Sequence, residues 1–335
     1  MIKKGNFFQL ISSYRTELMG YGILGVMLMH IVMRLPFDIP LIGDVARFVY
    51  TQGFIFLSGF GLYYSFTRNR NITLFYERRM MRLYLPYLII SIPFFLVIVI
   101  VTHQDIIDFG GYLTTLIFWV NGNFYGMWYI AVTIFLYALF PLIFIAMFKS
   151  EHMGGVILKS CLTILFFILC ICLVYSFSPD YYELVGKWIK KTVMFPIGML
   201  CAYFANLNDK EFLIKIGPQK VLICLISVVL FYILTKFYLK NINEFFRCFL
   251  GMFLVTYCFD IIERTRKMIW INKIMRWLGT FSLELYVLHV LIFKTVDTFI
   301  HARALEMAIS VLIALAICSP VHRLINNLLS SIERR

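Results

Sequence analysis

Charge is scarce in this chain. Asp, Glu, Lys and Arg make up 15% of its 335 residues, and only 18 of them are acidic. A soluble domain carries about a quarter charged residues, so a fully solvated surface is excluded. Eight cysteines are present, yet no CxxC pair and no Cys/His set at zinc spacing occurs. That excludes a disulfide framework or a zinc module read from spacing, and no metal is expected. The cysteines (Cys161, Cys170, Cys172, Cys201, Cys224, Cys248, Cys258 and Cys318) fall mostly inside apolar runs, where a thiol acts as a small apolar side chain. No Gly-x-Ser-x-Gly elbow occurs, which argues against Ser58 as a covalent nucleophile. No small-residue cleavage site follows the first apolar run, so the basic start MIKKGNFFQLISSYR leads into a retained helix and not a removed signal. Repeats, linkers and soluble appendages are also missing. Residues 1–335 therefore read as one integral membrane domain.

What is present is apolar surface. The chain is 61% hydrophobic and 18% aromatic. A helix needs about 20 apolar residues to cross the hydrocarbon of a bilayer. The fold class predicted is an all-α, polytopic membrane bundle of about ten transmembrane helices. They are expected near 17–35, 45–67, 84–102, 127–148, 156–177, 189–205, 220–239, 245–263, 280–300 and 305–328. The sixth is short and contains Pro196. The run 110–122 is too short to span and reads as an interfacial or re-entrant helix.

The formal net charge is +13. The basic residues sit between apolar runs, so the partner they imply is the lipid bilayer and no nucleic acid. The loop TRNRNITLFYERRMMR, the segment Arg264 to Arg276, the N-terminus and the C-terminal Arg pair are the basic sites. With an even number of spans all four fall on one side, which predicts both termini in the cytoplasm.

Ionisable groups inside spans are rare and costly, so each is a functional candidate. His30 lies thirteen residues after Glu17, roughly 20 Å along a helix. His289 and Glu284 lie in the ninth expected span. They are five residues apart, which offsets them by about 140° around a helix, so they need not face one another. The bland reading of each is a polar group that fixes helix packing. Ser58 sits among Gly53, Gly59 and Gly61, where close packing alone explains the small residues. Arg78, Arg79 and Arg82 cluster before the third span. Arg78 and Arg82, at i and i+4, are expected to share a face, and guanidinium forks suit phosphates. A plain topology anchor is the alternative. Trp128 and Tyr129 open the fourth span, where interfacial belt aromatics are common.

Five stretches in order carry a resemblance. ELMGYGILGVMLMH ends in His30, and FIFLSGFGL contains Ser58. They are followed by RRMMRLYLPYL, MWYIAVTIFLYALFPL and LGTFSLELYVLHVLIF. Together, over nearly the whole chain, they resemble the acyltransferase-3 family of integral membrane enzymes, which O-acylate bacterial surface glycans and related acceptors. One position departs from the family pattern. An arginine usually stands eleven residues before the first-helix histidine, and Met19 stands there in this sequence. Arg15, one turn earlier on roughly the same face, is the candidate substitute.

The resemblance implies a donor, acetyl-CoA or another acyl-CoA, and an acceptor hydroxyl on a glycan or lipid-linked sugar. It implies a multi-pass protein of the bacterial cytoplasmic membrane. His30, Glu284 and His289 are then the catalytic candidates, with His30 as general base and Glu284 or Glu17 as its carboxylate partner. Arg15, Arg78, Arg79, Arg82 and Ser58 are the donor-binding candidates. Trp128, Tyr129 and Tyr286 are the acceptor-binding ones, with Asp180 and Tyr181 as looser contacts. The oligomeric state stays open between monomer and homo-oligomer. A transporter or glycan flippase with the buried His and Glu as a proton relay is the rival reading, and a non-catalytic membrane scaffold is the third.

Overall fold

The computed structural model describes residues 7–37, 42, 45–46, 48–102, 106–122, 127–150, 152–207, 243–297 and 303–333. Every regular element among them is a helix. The expected span at 220–239, with Cys224, lies outside the described residues.

A short helix, α1 (Phe7–Ser13), leads into α2 (Arg15–Val32). Next come α3 (Thr51–Arg68) and α4 (Ile72–Arg79), which continues through a π turn at Met80–Tyr84 into α5 (Leu85–Thr102). The run 110–122 forms no single re-entrant helix. It breaks into α6 (Ile106–Leu113) and α7 (Leu116–Asn121), with Thr115 left-handed at φ 62° between them. Then follow α8 (Trp128–Phe148), α9 (Met153–Phe177) and α10 (Pro179–Ile189). A 3₁₀ turn, Lys190–Val193, opens α11 (Met194–Asn206). The last four helices are α12 (Asn243–Thr265), α13 (Ile269–Thr280), α14 (Ser282–Asp297) and α15 (Arg303–Glu333).

Among the described residues four helices are long and apolar enough to cross a membrane: Ile72–Val101, α8, α9 and Leu305–Ser331. The pair α13 and α14 makes a fifth if its 70° bend lies within one span. The other expected spans that fall on described residues are helices too, but shorter or more polar. Helix α11 has 13 residues, and α12 carries Asp260, Glu263 and Arg264 toward its end.

Helix α2 occupies the middle, packed against α3, α13, α14 and α15. Small residues allow the closest pairings. Gly59 of α3 faces the Phe195 carbonyl and Gly198 of α11 faces the Phe56 carbonyl, so these two backbones touch with no Cβ between them. Around this frame, aromatics fill the core. Phe66, Phe75 and Phe140 join α3, α4 and α8 with ring centroids 4.9 to 5.7 Å apart, the spacing at which edge-to-face and offset contacts add to burial. The bend at Phe281 turns α14 away from α13, and α14 then runs between α2, α5 and α15. That placement brings the ninth expected span alongside the first.

Candidate functional site

Two neighbouring features make the site: a histidine pair and an arginine-lined cavity. His30 on α2 and His289 on α14 meet directly. The Nδ1 of His30 is 3.1 Å from Nε2 of His289, with ring centroids 5.2 Å apart. His289 is fully buried, while His30 is partly exposed. Nδ1 of His289 lies 2.6 Å from the Leu285 carbonyl, one turn back on its own helix. Arg34, one turn beyond His30, donates to the His30 carbonyl at 2.8 Å. Its guanidinium rests over the Phe293 ring at 4.2 Å, one turn beyond His289. The two helices are thus tied on the turn beyond the pair.

The cavity has a volume of about 140 Å³. Its wall includes Arg15, Ser58, Arg79, Arg82, Tyr129 and Tyr286, six of the residues singled out from the sequence. Met19 lies on the same wall as Arg15. Arg15 enters because Gly61 of α3 has no side chain: a Cβ there would fall on the guanidinium. The Nε of Arg15 donates to the Leu57 carbonyl at 3.3 Å. Arg79 stands near the Phe75 and Tyr137 rings, and its buried Nε has no hydrogen-bond partner among the described residues. No carboxylate among the described residues forms an ion pair with Arg15, Arg79 or Arg82. Three guanidinium groups around one cavity, with no ion-paired carboxylate among the described residues, favour an anion there.

Tyr286 connects the two features. Its ring centroid is 5.2 Å from that of Tyr129 and 6.0 Å from the His289 ring. Ser282, also on the cavity wall, is seven residues before His289, about 10 Å along a helix.

Several expectations need correction. Arg78 is exposed and absent from the cavity wall. Arg82, expected to share a face with Arg78, does line the cavity, and the π turn begins between the two. The Leu85 amide bonds the Met80 carbonyl, five residues back, which widens the turn and breaks α-helical spacing. Of the three arginines expected there, Arg79 and Arg82 line the cavity. Glu284 is 5% exposed and pairs with Nδ1 of His322 on α15 at 2.5 Å. Glu17 is 1% exposed and pairs with Arg276 on α13. Among the described residues neither carboxylate bonds His30. Trp128 is buried and stacked on Trp188, 4.4 Å between centroids, so the face expected to meet a sugar is covered. The hydroxyl of Tyr181 is engaged by the Trp119 carbonyl, away from the cavity.

The sequence reading missed His322, Tyr137 and Lys191. Lys191 is 6% exposed, bonds Thr51 Oγ1 at 3.1 Å and lies over the Trp128 and Trp188 rings at 4.8 and 5.0 Å. A signal for Tyr137 existed: it follows Tyr129 by eight residues, which is the same helical face. Among the described residues no group of three or more His, Cys, Asp or Glu side chains gathers as metal ligands would.

A family model described as an acyltransferase domain matches residues 20–323. The match contains His30, His289, His322 and the cavity residues other than Arg15 and Met19. No curated protein and no solved structure matches the chain.

Proposed function

Because the chain belongs to the acyltransferase-3 family, we propose that it is a membrane O-acyltransferase moving an acyl group from cytoplasmic acyl-CoA to a hydroxyl of a cell-surface glycan or its lipid-linked precursor. Acetyl is the acyl group of this reading, and the bacterial cytoplasmic membrane is its location. About ten spans with both termini in the cytoplasm complete the topology.

The observation that carries the reading is the trio Arg15, Arg79 and Arg82 around one cavity without an ion-paired carboxylate among the described residues. Coenzyme A is polyanionic, and guanidinium forks bind phosphates bidentately. A cavity of about 140 Å³ takes a narrow chain and no nucleotide. In this reading the phosphates stay at the arginine mouth, and the pantetheine arm runs past Tyr129 and Tyr286 toward the histidines. Arg15 does the work of the family arginine that Met19 replaces, since both line the same wall.

His30 is the general base. Its ring takes the proton of the acceptor hydroxyl as that oxygen attacks the thioester carbonyl carbon. A C–O bond forms, the C–S bond breaks, and the same proton passes from His30 to the departing thiolate. The products are an O-acyl ester and free coenzyme A, with no net proton change at the enzyme. A histidine within the bundle suits a donor and an acceptor that arrive from opposite faces of the membrane.

The test is release of free coenzyme A from acetyl-CoA by purified protein, wild type beside His30→Ala, with cell-surface glycan as acceptor and a panel of other acyl-CoAs. Acceptor-dependent release that disappears in the variant supports the reading. A transporter produces no free coenzyme A. Equal release by His30→Ala, in folded and membrane-inserted protein, overturns the assigned base.

A further inference from the structure

We infer that His289 is a positioning residue that holds the catalytic proton-accepting ring of His30 in one tautomer, with Nδ1 protonated and Nε2 bare. The inference rests on the reading of His30 as general base and adds which nitrogen acts and what fixes it.

The chain of hydrogen bonds has one consistent direction. The Leu285 carbonyl can only accept, so Nδ1 of His289, 2.6 Å away, carries a proton. In the neutral ring Nε2 is then an acceptor. It lies 3.1 Å from Nδ1 of His30, and a bond there requires a proton between the two nitrogens. That proton belongs to His30. The reverse arrangement would set a lone pair of His289 against the Leu285 oxygen. A doubly protonated His289 would donate from Nε2 and reverse the bond, but it would bury a cation at a fully enclosed position with no carboxylate paired to it among the described residues. The hydrogen bond of the His30 ring to the described residues runs through Nδ1, which leaves Nε2 to accept the acceptor's proton.

His289 also matters after that proton arrives. His30 is then an imidazolium, and its Nδ1–H bond to His289 becomes charge-assisted and stronger. This is differential stabilisation of the charged state, the kind that lowers a barrier. His289 itself exchanges no proton, because its far side ends on a backbone carbonyl. A proton relay from His30 through His289 toward Glu284 has no next step along this route. Glu284 faces His322 on another helix instead. The clamp on the next turn, Arg34 over Phe293, keeps the two helices in the register that the ring contact needs.

The experiment uses full-length protein labelled with ¹⁵N-histidine in nanodiscs, together with turnover. The His30 signals are identified by their loss in His30→Asn. The wild type is expected to show His30 with Nδ1 protonated and Nε2 bare. His289→Leu removes the acceptor. It is expected to mix the His30 tautomers and to lower kcat by about 100-fold or more, the scale on which losing an orienting partner acts, with KM for acyl-CoA nearly unchanged. His289→Gln offers an amide oxygen in place of Nε2. It is expected to keep the tautomer and to retain turnover within about tenfold of wild type. A wild-type His30 protonated at Nε2 overturns the inference. So does a His289→Leu protein with unaltered tautomer and kcat. Equal losses in Leu and Gln variants with the tautomer intact reduce His289 to packing and also overturn it. Failure of the wild type to release coenzyme A from any donor would count against the proposed reaction instead, and the tautomer measurement separates the two failures.

Discussion

Gly20 of α2 and Gly279 of α13 face each other across a close helix contact. A Cβ on Gly20 would fall on the Met275 carbonyl, and a Cβ on Gly279 would fall on the Thr16 carbonyl. Both obstacles are backbone, which cannot swing aside. The Glu17–Arg276 pair joins the same two helices close by. Gly279→Ala should therefore push α2 and α13 apart and destabilise the protein by about 1–3 kcal/mol, the usual range for overpacking. His30 rides on α2, so turnover should fall as well. Thermal unfolding in one detergent, beside coenzyme A release, checks this. An unchanged midpoint would mean that the helices are not packed as described.

Arg79 gives the most direct test of donor binding. Its buried Nε lacks a protein partner among the described residues, so a phosphate would satisfy it. A hydrogen bond to a charged group is worth about 1.5–3 kcal/mol, or about 10–100-fold in binding. Arg79→Ala should raise KM for acetyl-CoA by that factor and leave kcat within a few-fold. Arg79→Lys should not restore binding, because an ammonium cannot fork. Arg78→Ala should bind normally, since Arg78 is exposed and outside the cavity. Acetyl-pantetheine, which lacks the nucleotide phosphates, should be turned over equally well by wild type and Arg79→Ala. Equal KM values for acetyl-CoA would sink the phosphate role.

Ionisable groups stand out in sequence against hydrocarbon. His30, His289 and Glu284 were legible because imidazole and carboxylate are rare in apolar runs. The offset of about 140° between Glu284 and His289 also matches the structure, which turns one toward His322 and the other toward His30. What stayed hidden was partner choice. His322 follows Glu284 by 38 residues, at a helix position that resembles an ordinary membrane boundary. The π turn was hidden for a different reason. ERRMMRLYLPY carries no Gly break, and its only proline, Pro86, follows the π turn Met80–Tyr84. Local pattern therefore left α-helical spacing as the default and did not separate Arg79, which lines the cavity, from Arg78, which is exposed outside it. Trp128 was misread because a belt aromatic and a core aromatic look alike until Trp188 and Lys191 are found beside it.

Lys191 makes the second structural prediction. Its ammonium is buried over two indole rings and bonded to Thr51. A desolvated cation–π contact is worth about 2 kcal/mol or more. Lys191→Met keeps most of the stem and removes the charge. It should lower stability by about that amount and alter the intrinsic fluorescence of Trp128 and Trp188. The arginine cavity is lined by other residues, so KM for acetyl-CoA should stay close to wild type. A stable variant with unaltered fluorescence would show that the charge contributes nothing to holding the α8, α10 and α11 junction.

The Glu284–His322 pair separates stability from chemistry. Glu284 lies on the same helix as His289, yet its partner is on α15 and it makes no bond to either ring of the histidine pair. A buried acceptor that loses its donor carries the desolvation penalty of that group, about 1–3 kcal/mol and more if charged. His322→Ala should therefore destabilise the protein by at least about that much, and so should Glu284→Gln. The double variant should be less destabilised than the sum of the two, because each single change already breaks the shared bond. Unfolding measured for all four proteins in the same denaturing detergent gives the coupling directly. Turnover per folded molecule in His322→Ala should remain within a few-fold of wild type. A loss of kcat as deep as that of His30→Ala, without loss of stability, would move Glu284 and His322 from the scaffold into the reaction.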